Sequence, residues 1–143
     1  MSAVNAFETA ILNLIFNATA IANVADNAGT SPATNIYVSL HTADPGETGN
    51  QASSETTYTG YSRIAVARTS SGWTVSGNTA TNTAEITFGK CTGGAQTITH
   101  VGAGLSSSGN GTLLLVAALD SSLILASGAT PLFETGALEF TCD

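Results

Sequence analysis

The apolar positions of this chain change period once, near residue 30. Before that point Phe7, Ile11, Leu14, Ile15, Ala18, Ile21, Ala22 and Ala25 recur at three- and four-residue spacing, which lines one face of a helix. Asn5, with Glu8 three residues on, has the form of a capping box. Gly29 supplies a stop, and Pro32 opposes continuation. The pattern predicts one helix within residues 1–29. Leu12 and Phe16 lie off the main face, so only Thr9, Asn13 and Asn17 form a polar stripe. A helix apolar on nearly every side is buried on most sides. Either its own sheet covers it, or a neighbouring subunit does. Phe7, Ile11, Leu12, Leu14, Ile15 and Phe16 are therefore candidate interface residues.

From residue 35 the period becomes two, the signature of half-buried strands. NIYVSLH (35–41) sets Ile36, Val38 and Leu40 on one face, and Asp44-Pro45-Gly46 follows with strong turn chemistry. A long polar loop ends at Gly60, and residues 61–69 alternate again. WTVSG and NTATNTAEITFG read as two strands joined at Gly77-Asn78. TITHVGAGL is another, in which Gly102 and Gly104 suggest a bulge or a close backbone approach. Asn110-Gly111 is the strongest hairpin signal. GTLLLVAAL reads as a doubly buried central strand, and SLILASG and ALEFTCD close the chain. The expected fold is mainly β: an antiparallel β-sandwich or jelly-roll-like barrel of seven to eight strands, preceded by one N-terminal α-helix. It forms a single domain over residues 1–143, with the β portion at 35–143.

Charge changes this picture more than any motif does. Lys and Arg together number 3 and Asp and Glu 10, while Ser and Thr supply 37 of the 143 residues. Ordinary domains carry roughly a quarter charged residues. A net charge of −7 with only Arg63, Arg68 and Lys90 as cations argues against binding nucleic acid or anionic membranes. The N-terminal stretch lacks the basic residues of a secretory signal, and its asparagines oppose a transmembrane span. Synthesis in a cytoplasm is expected. Cys91 and Cys142 read as small buried thiols, with a bridge left open.

Catalytic patterns are absent. His41 and Asp44 do not make a metal site, which needs three or four converging ligands. Gly104 to Gly109 misses a nucleophile elbow by one position. No dinucleotide or phosphate-loop fingerprint occurs, and no cofactor is expected. Tyr58, Tyr61 and Trp73 are the aromatics expected at the surface, where they could meet a glycan or a partner. Arg63 and Arg68 could each pair with a carboxylate of the same or a neighbouring chain.

The N-terminal apolar helix, NIYVSLHTADPGETG, GYSRIAVART, Gly72-Trp73, NTAEITFG, ITHVGAGL and TPLFETGALEFT together resemble small virion proteins of tailed bacteriophages, often labelled tail-fibre-like. The resemblance covers nearly the whole chain. It implies a non-enzymatic structural protein of the virion, made in the host bacterial cytoplasm. The reading placed first is a capsid decoration or cement protein, binding the head lattice as a homo-oligomer. The alternative is a tail-fibre or tail-tip component that serves host attachment. Expected partners are further copies of the chain and other virion proteins, such as the major capsid protein or tail proteins.

Overall fold

The computed structural model describes residues 5–21 and 32–142. Gly29, Ala22 and Ala25 fall outside them, as do the side chains of Asn5 and Phe7, so the proposed capping box and the Phe7 contact do too. In chain order the elements are helix α1 (Asn5–Asn17) and strands β1 (Asn35–His41), β2 (Ile64–Ala67), β3 (Trp73–Ser76), β4 (Thr79–Asn82), β5 (Ile86–Thr87), β6 (Gln96–Gly104), β7 (Leu113–Leu125), β8 (Leu132–Phe133) and β9 (Glu139–Thr141). The fold is mainly β with antiparallel pairing, as the period-two pattern predicts. The strands divide into sheets ordered β2-β1-β6-β7, β3-β4-β9 and β5-β8. Two compact units result. One gathers residues from Met1–Asn35, Val66–Ile86 and Phe133–Asp143, the other Ile36–Ala65 and Thr87–Leu132.

In the first unit α1 lies against β3 and β4. Its buried stripe is Glu8, Leu12 and Phe16, four residues apart, whereas Ile11, Leu14 and Ile15 are half-buried. The face expected to be innermost is thus not the innermost one. The reason is aromatic: the Phe16 ring sits 4.5 Å from that of Trp73 and 5.8 Å from that of Phe140. Such ring pairs add to the apolar burial that holds the helix. The helix also stops at Asn17, well before Gly29. Ala18 takes a left-handed φ of 53°, and the Thr19 amide donates to the Asn13 carbonyl at 3.0 Å. The bond reaches six residues back, one further than a Schellman bond, and the left-handed position falls on alanine rather than glycine. Arg68 completes it, donating to the carbonyls of Leu14, Ile15 and Ala33.

The hairpin of β3 and β4 turns at Gly77-Asn78, with Ser76 opposite Thr79. Gly77 has φ 60° and Asn78 a negative φ, the pattern of a type II′ turn. The strand expected to run from Asn78 to Gly89 is instead two, β4 and β5. Buried Asn82 breaks it. Its amide donates to the carbonyls of Ala84 and Glu134, both at 2.8 Å, and its oxygen accepts from the Leu138 amide at 2.9 Å.

In the second unit β1 is an inner strand of the four-stranded sheet, and Ile36, Val38 and Leu40 are buried along one face as expected. β6 pairs with it from Tyr37↔Gly104 to His41↔His100. Gly102 and Gly104 answer to close approach. A Cβ at Gly104 would lie 2.2 Å from the Gln51 side chain, and one at Gly102 2.8 Å from His41 Nε2. The apolar run of β7 is not a central strand. β7 is the sheet edge, and most of it is half-buried or exposed. Nor does Asn110-Gly111 make a two-residue turn. The β6–β7 connection is closed by Leu105 donating to Thr112 at 3.1 Å, and positive φ falls on Gly109 rather than Asn110.

Candidate functional site

The best-organised surface feature of the second unit is a set of loops gathered around Arg63. The polar loop 42–57 folds back along the end of β1, with Thr42 donating to Ser54 at 2.8 Å and Thr56 to Leu40 at 2.9 Å. Glu55 thereby reaches Arg63. Nε and Nη2 of Arg63 donate to the two Glu55 oxygens, both at 2.7 Å. The same guanidinium donates to the carbonyl of Ser106 at 2.9 Å and of Gly109 at 2.7 Å. One planar fork thus ties two loops, a task suited to Arg and not to Lys. The Glu55 hydrogen bonds hold the guanidinium even more firmly protonated than usual. Tyr61 closes the cluster, accepting from the Leu40 amide at 3.1 Å and donating to Glu55 at 2.8 Å. Burial, first among the causes, pushes its phenol well above the ordinary range.

Beyond the pinned carbonyls, residues Ser107 to Asn110 are exposed. The result is a small polar tip, rich in hydroxyl and amide groups, anchored by buried Arg63 and its half-buried partner Glu55. Gln51 holds its other side: its side-chain oxygen accepts from the Ser106 amide at 2.9 Å, and its backbone N–H donates to the Gly111 carbonyl at 2.9 Å. Such a rigid projection can present hydrogen-bonding groups to a partner without ordering a loop on contact.

Beneath loop 42–57 lies a serine–histidine pair. His41 Nδ1 donates to the Ser53 carbonyl, and Nε2 accepts from the Ser39 hydroxyl, both at 2.9 Å. Both residues have no solvent exposure. The Ser39 oxygen cannot meet a substrate, and no carboxylate orients the imidazole. The pair fastens the loop to the sheet. Desolvation, first among the causes, holds the His41 pKa below its ordinary value. Among the described residues no group of three or more His, Cys, Asp and Glu could hold a metal ion. No described helix is long and apolar enough to cross a membrane.

The residues singled out from sequence fall in different places. Trp73 is fully buried and Tyr58 is 2% exposed, so neither is the surface aromatic expected. Trp73 is enclosed by Phe16 and Phe140, while the Tyr58 hydroxyl donates to Gly89 at 2.8 Å. Tyr61 is half-buried and stacks on Phe88 at 6.2 Å. Arg63 pairs within the chain. Arg68 donates to the backbone carbonyls of Leu14, Ile15 and Ala33. Leu12 and Phe16 are buried in the first unit, and Ile11, Leu14 and Ile15 keep part of their surface open. Cys91 and Cys142 are free thiols, the first buried and the second half-buried. The Ser106–Asn110 tip and the Gln51 brace were missed. The rarity of arginine was their one signal, because a lone cation in a Ser/Thr-rich chain has few places to go.

A family model for podophage GP4 fiber I protein gp80 matches residues 2–141. The chain belongs to this fibre family. No curated protein matches it. Membership marks the chain as a structural protein of a bacteriophage virion, in line with the resemblance read from the sequence.

Proposed function

We propose that this chain is a non-enzymatic component of a podophage fibre, and that it serves in the tail apparatus rather than as a cement on the head lattice. The observation that carries the reading is the match to a fibre protein over residues 2–141. The site chemistry agrees with it. The serine–histidine pair is sealed from solvent, and the surface feature pinned by Arg63 is a polar tip suited to contact rather than catalysis. Low charge fits as well. A fibre subunit meets neighbours over much of its surface, and hydroxyl-rich faces desolvate at less cost than charged ones. Labelling virions with gold-conjugated antibody to this protein tests the placement. Gold on the fibres supports it, and gold distributed over the capsid faces returns the protein to head decoration.

A further inference from the structure

Asn110 is followed by glycine, which is true of no other asparagine in the chain. Glycine has no Cβ to hinder its own backbone nitrogen, so that nitrogen can attack the side-chain carboxamide before it. Packing requires the glycine: a Cβ at Gly111 would overlap Gln51 Oε1 and the Ser106 side chain. The reactive pair is therefore built into the tip. Asn110 is exposed and Gly111 is buried. In the folded chain the attacking nitrogen is occupied. Gly111 N–H donates to the Gly109 carbonyl at 2.8 Å, and with Asn110 at negative φ this is an inverse γ-turn. The Gly109 carbonyl also accepts from Arg63 Nη2 at 2.7 Å. The Gly111 carbonyl accepts from the Gln51 N–H at 2.9 Å. Ring closure needs the Gly111 nitrogen aligned on Asn110 Cγ. The 110–111 peptide must rotate to reach that alignment, and the rotation breaks the bond to Gly109.

We infer that Asn110 is a modification site, converted to aspartate and isoaspartate by attack of the Gly111 nitrogen, and that the Arg63 clamp sets the rate. The Gly111 nitrogen loses its proton to solvent base and forms a bond to Asn110 Cγ. The Cγ–Nδ2 bond breaks, and the nitrogen leaves as ammonia after taking up a proton. Water then opens the five-membered imide at one of its two carbonyls. Opening at Cγ gives aspartate. Opening at the main-chain carbonyl gives isoaspartate, with the chain running through Cγ. One water is consumed and one ammonia released, so solvent is the sole co-reactant. Either product adds a carboxylate to a tip that carried none. Isoaspartate also lengthens the main chain between the Gly109 carbonyl held by Arg63 and the Gly111 carbonyl held by Gln51. The tip thus changes charge and shape as the protein ages. The inference goes beyond the fibre assignment and stands whatever the tip contacts.

Incubating the full chain in mildly alkaline buffer, both folded and unfolded in urea, tests this, with conversion at each asparagine read by peptide mass spectrometry. Labelling with isoaspartyl methyltransferase separates isoaspartate from aspartate. The unfolded chain should convert at Asn110 ahead of every other asparagine. Folding should slow that conversion at least about tenfold, because opening the turn breaks hydrogen bonds to a charged donor. Arg63→Lys, shown to be folded by circular dichroism, should recover much of the lost rate. Amide exchange on the unmodified chain supplies a readout that needs no variant, and it decides alone if Arg63→Lys does not fold. The exchanging hydrogen sits on the attacking nitrogen, so one opening governs both reactions. The Gly111 amide should be protected by a factor close to the slowing of conversion. Equal rates in the folded and unfolded chain, another asparagine converting first when unfolded, an unprotected Gly111 amide, or a folded Arg63→Lys with unchanged rate would each overturn the inference.

Discussion

Arg63 uses four of its donor contacts on partners that lie 8 to 46 residues away in sequence. Removing it strips two loop carbonyls of their donor and leaves the Glu55 carboxylate the Tyr61 hydroxyl in place of its cation. Arg63→Ala should cost about 3 kcal/mol of unfolding free energy, and Arg63→Lys should recover only part of that because an ammonium cannot span the fork. Urea denaturation of the three proteins reads both numbers. His41 gives a pH dependence whose sign follows from burial. Its folded pKa lies below the ordinary 6.5, so the unfolded chain binds the proton more readily. The stability it contributes is complete above pH 6.5 and is lost as pH falls below that value. The melting temperature should therefore drop between pH 7.5 and pH 5, and His41→Asn should flatten that drop. Neither arrangement could be read from sequence. The pattern marks His41 as a strand residue and Arg63 as a rare cation, but the Ser53 carbonyl and the Ser106 loop reach them only through tertiary folding.

Elements were legible where one face is buried and one is not. β1 shows this most clearly, with Ile36, Val38 and Leu40 inward. Legibility failed where a local signal had a tertiary competitor. No glycine marks the end of α1, because Ala18 accepts a left-handed φ of 53° while Arg68 satisfies the carbonyls behind it. Relieving that conformation with Ala18→Gly should stabilise the protein by about 0.5–1 kcal/mol, the left-handed penalty of alanine exceeding the entropy cost of glycine. Thermal unfolding checks it. The β4–β5 break rests on Asn82 bonding to Glu134 and Leu138, 52 and 56 residues away. β7 was misplaced because a continuous apolar run looks the same at a sheet centre and at an exposed edge. Gly104 marks the opposite case, a glycine whose reason was anticipated. Gly104→Ala would force the Gln51 side chain, 2.2 Å from the new Cβ, out of its place under the tip. It should cost about 2–3 kcal/mol and loosen the Ser106–Asn110 tip, seen as faster amide exchange there.

At the scale of the whole molecule, the scarcity of charge takes on a concrete form. Two of the three cations are committed inside the fold, Arg63 to Glu55 and Arg68 to the end of α1, and Lys90 is the exposed one. The hydroxyl and amide groups of loops and tips face outward in place of charge. A chain built this way is suited to lie among neighbours. The virion role was legible from motifs spread along the chain. The choice between head and tail was not, since the same polar tip serves either lattice. Comparing cryo-electron density of complete phage with that of particles assembled without this gene tests the central claim most directly. The account predicts intact, filled heads with density missing from the fibres alone. Missing density across the capsid lattice, with the fibres unchanged, would contradict it.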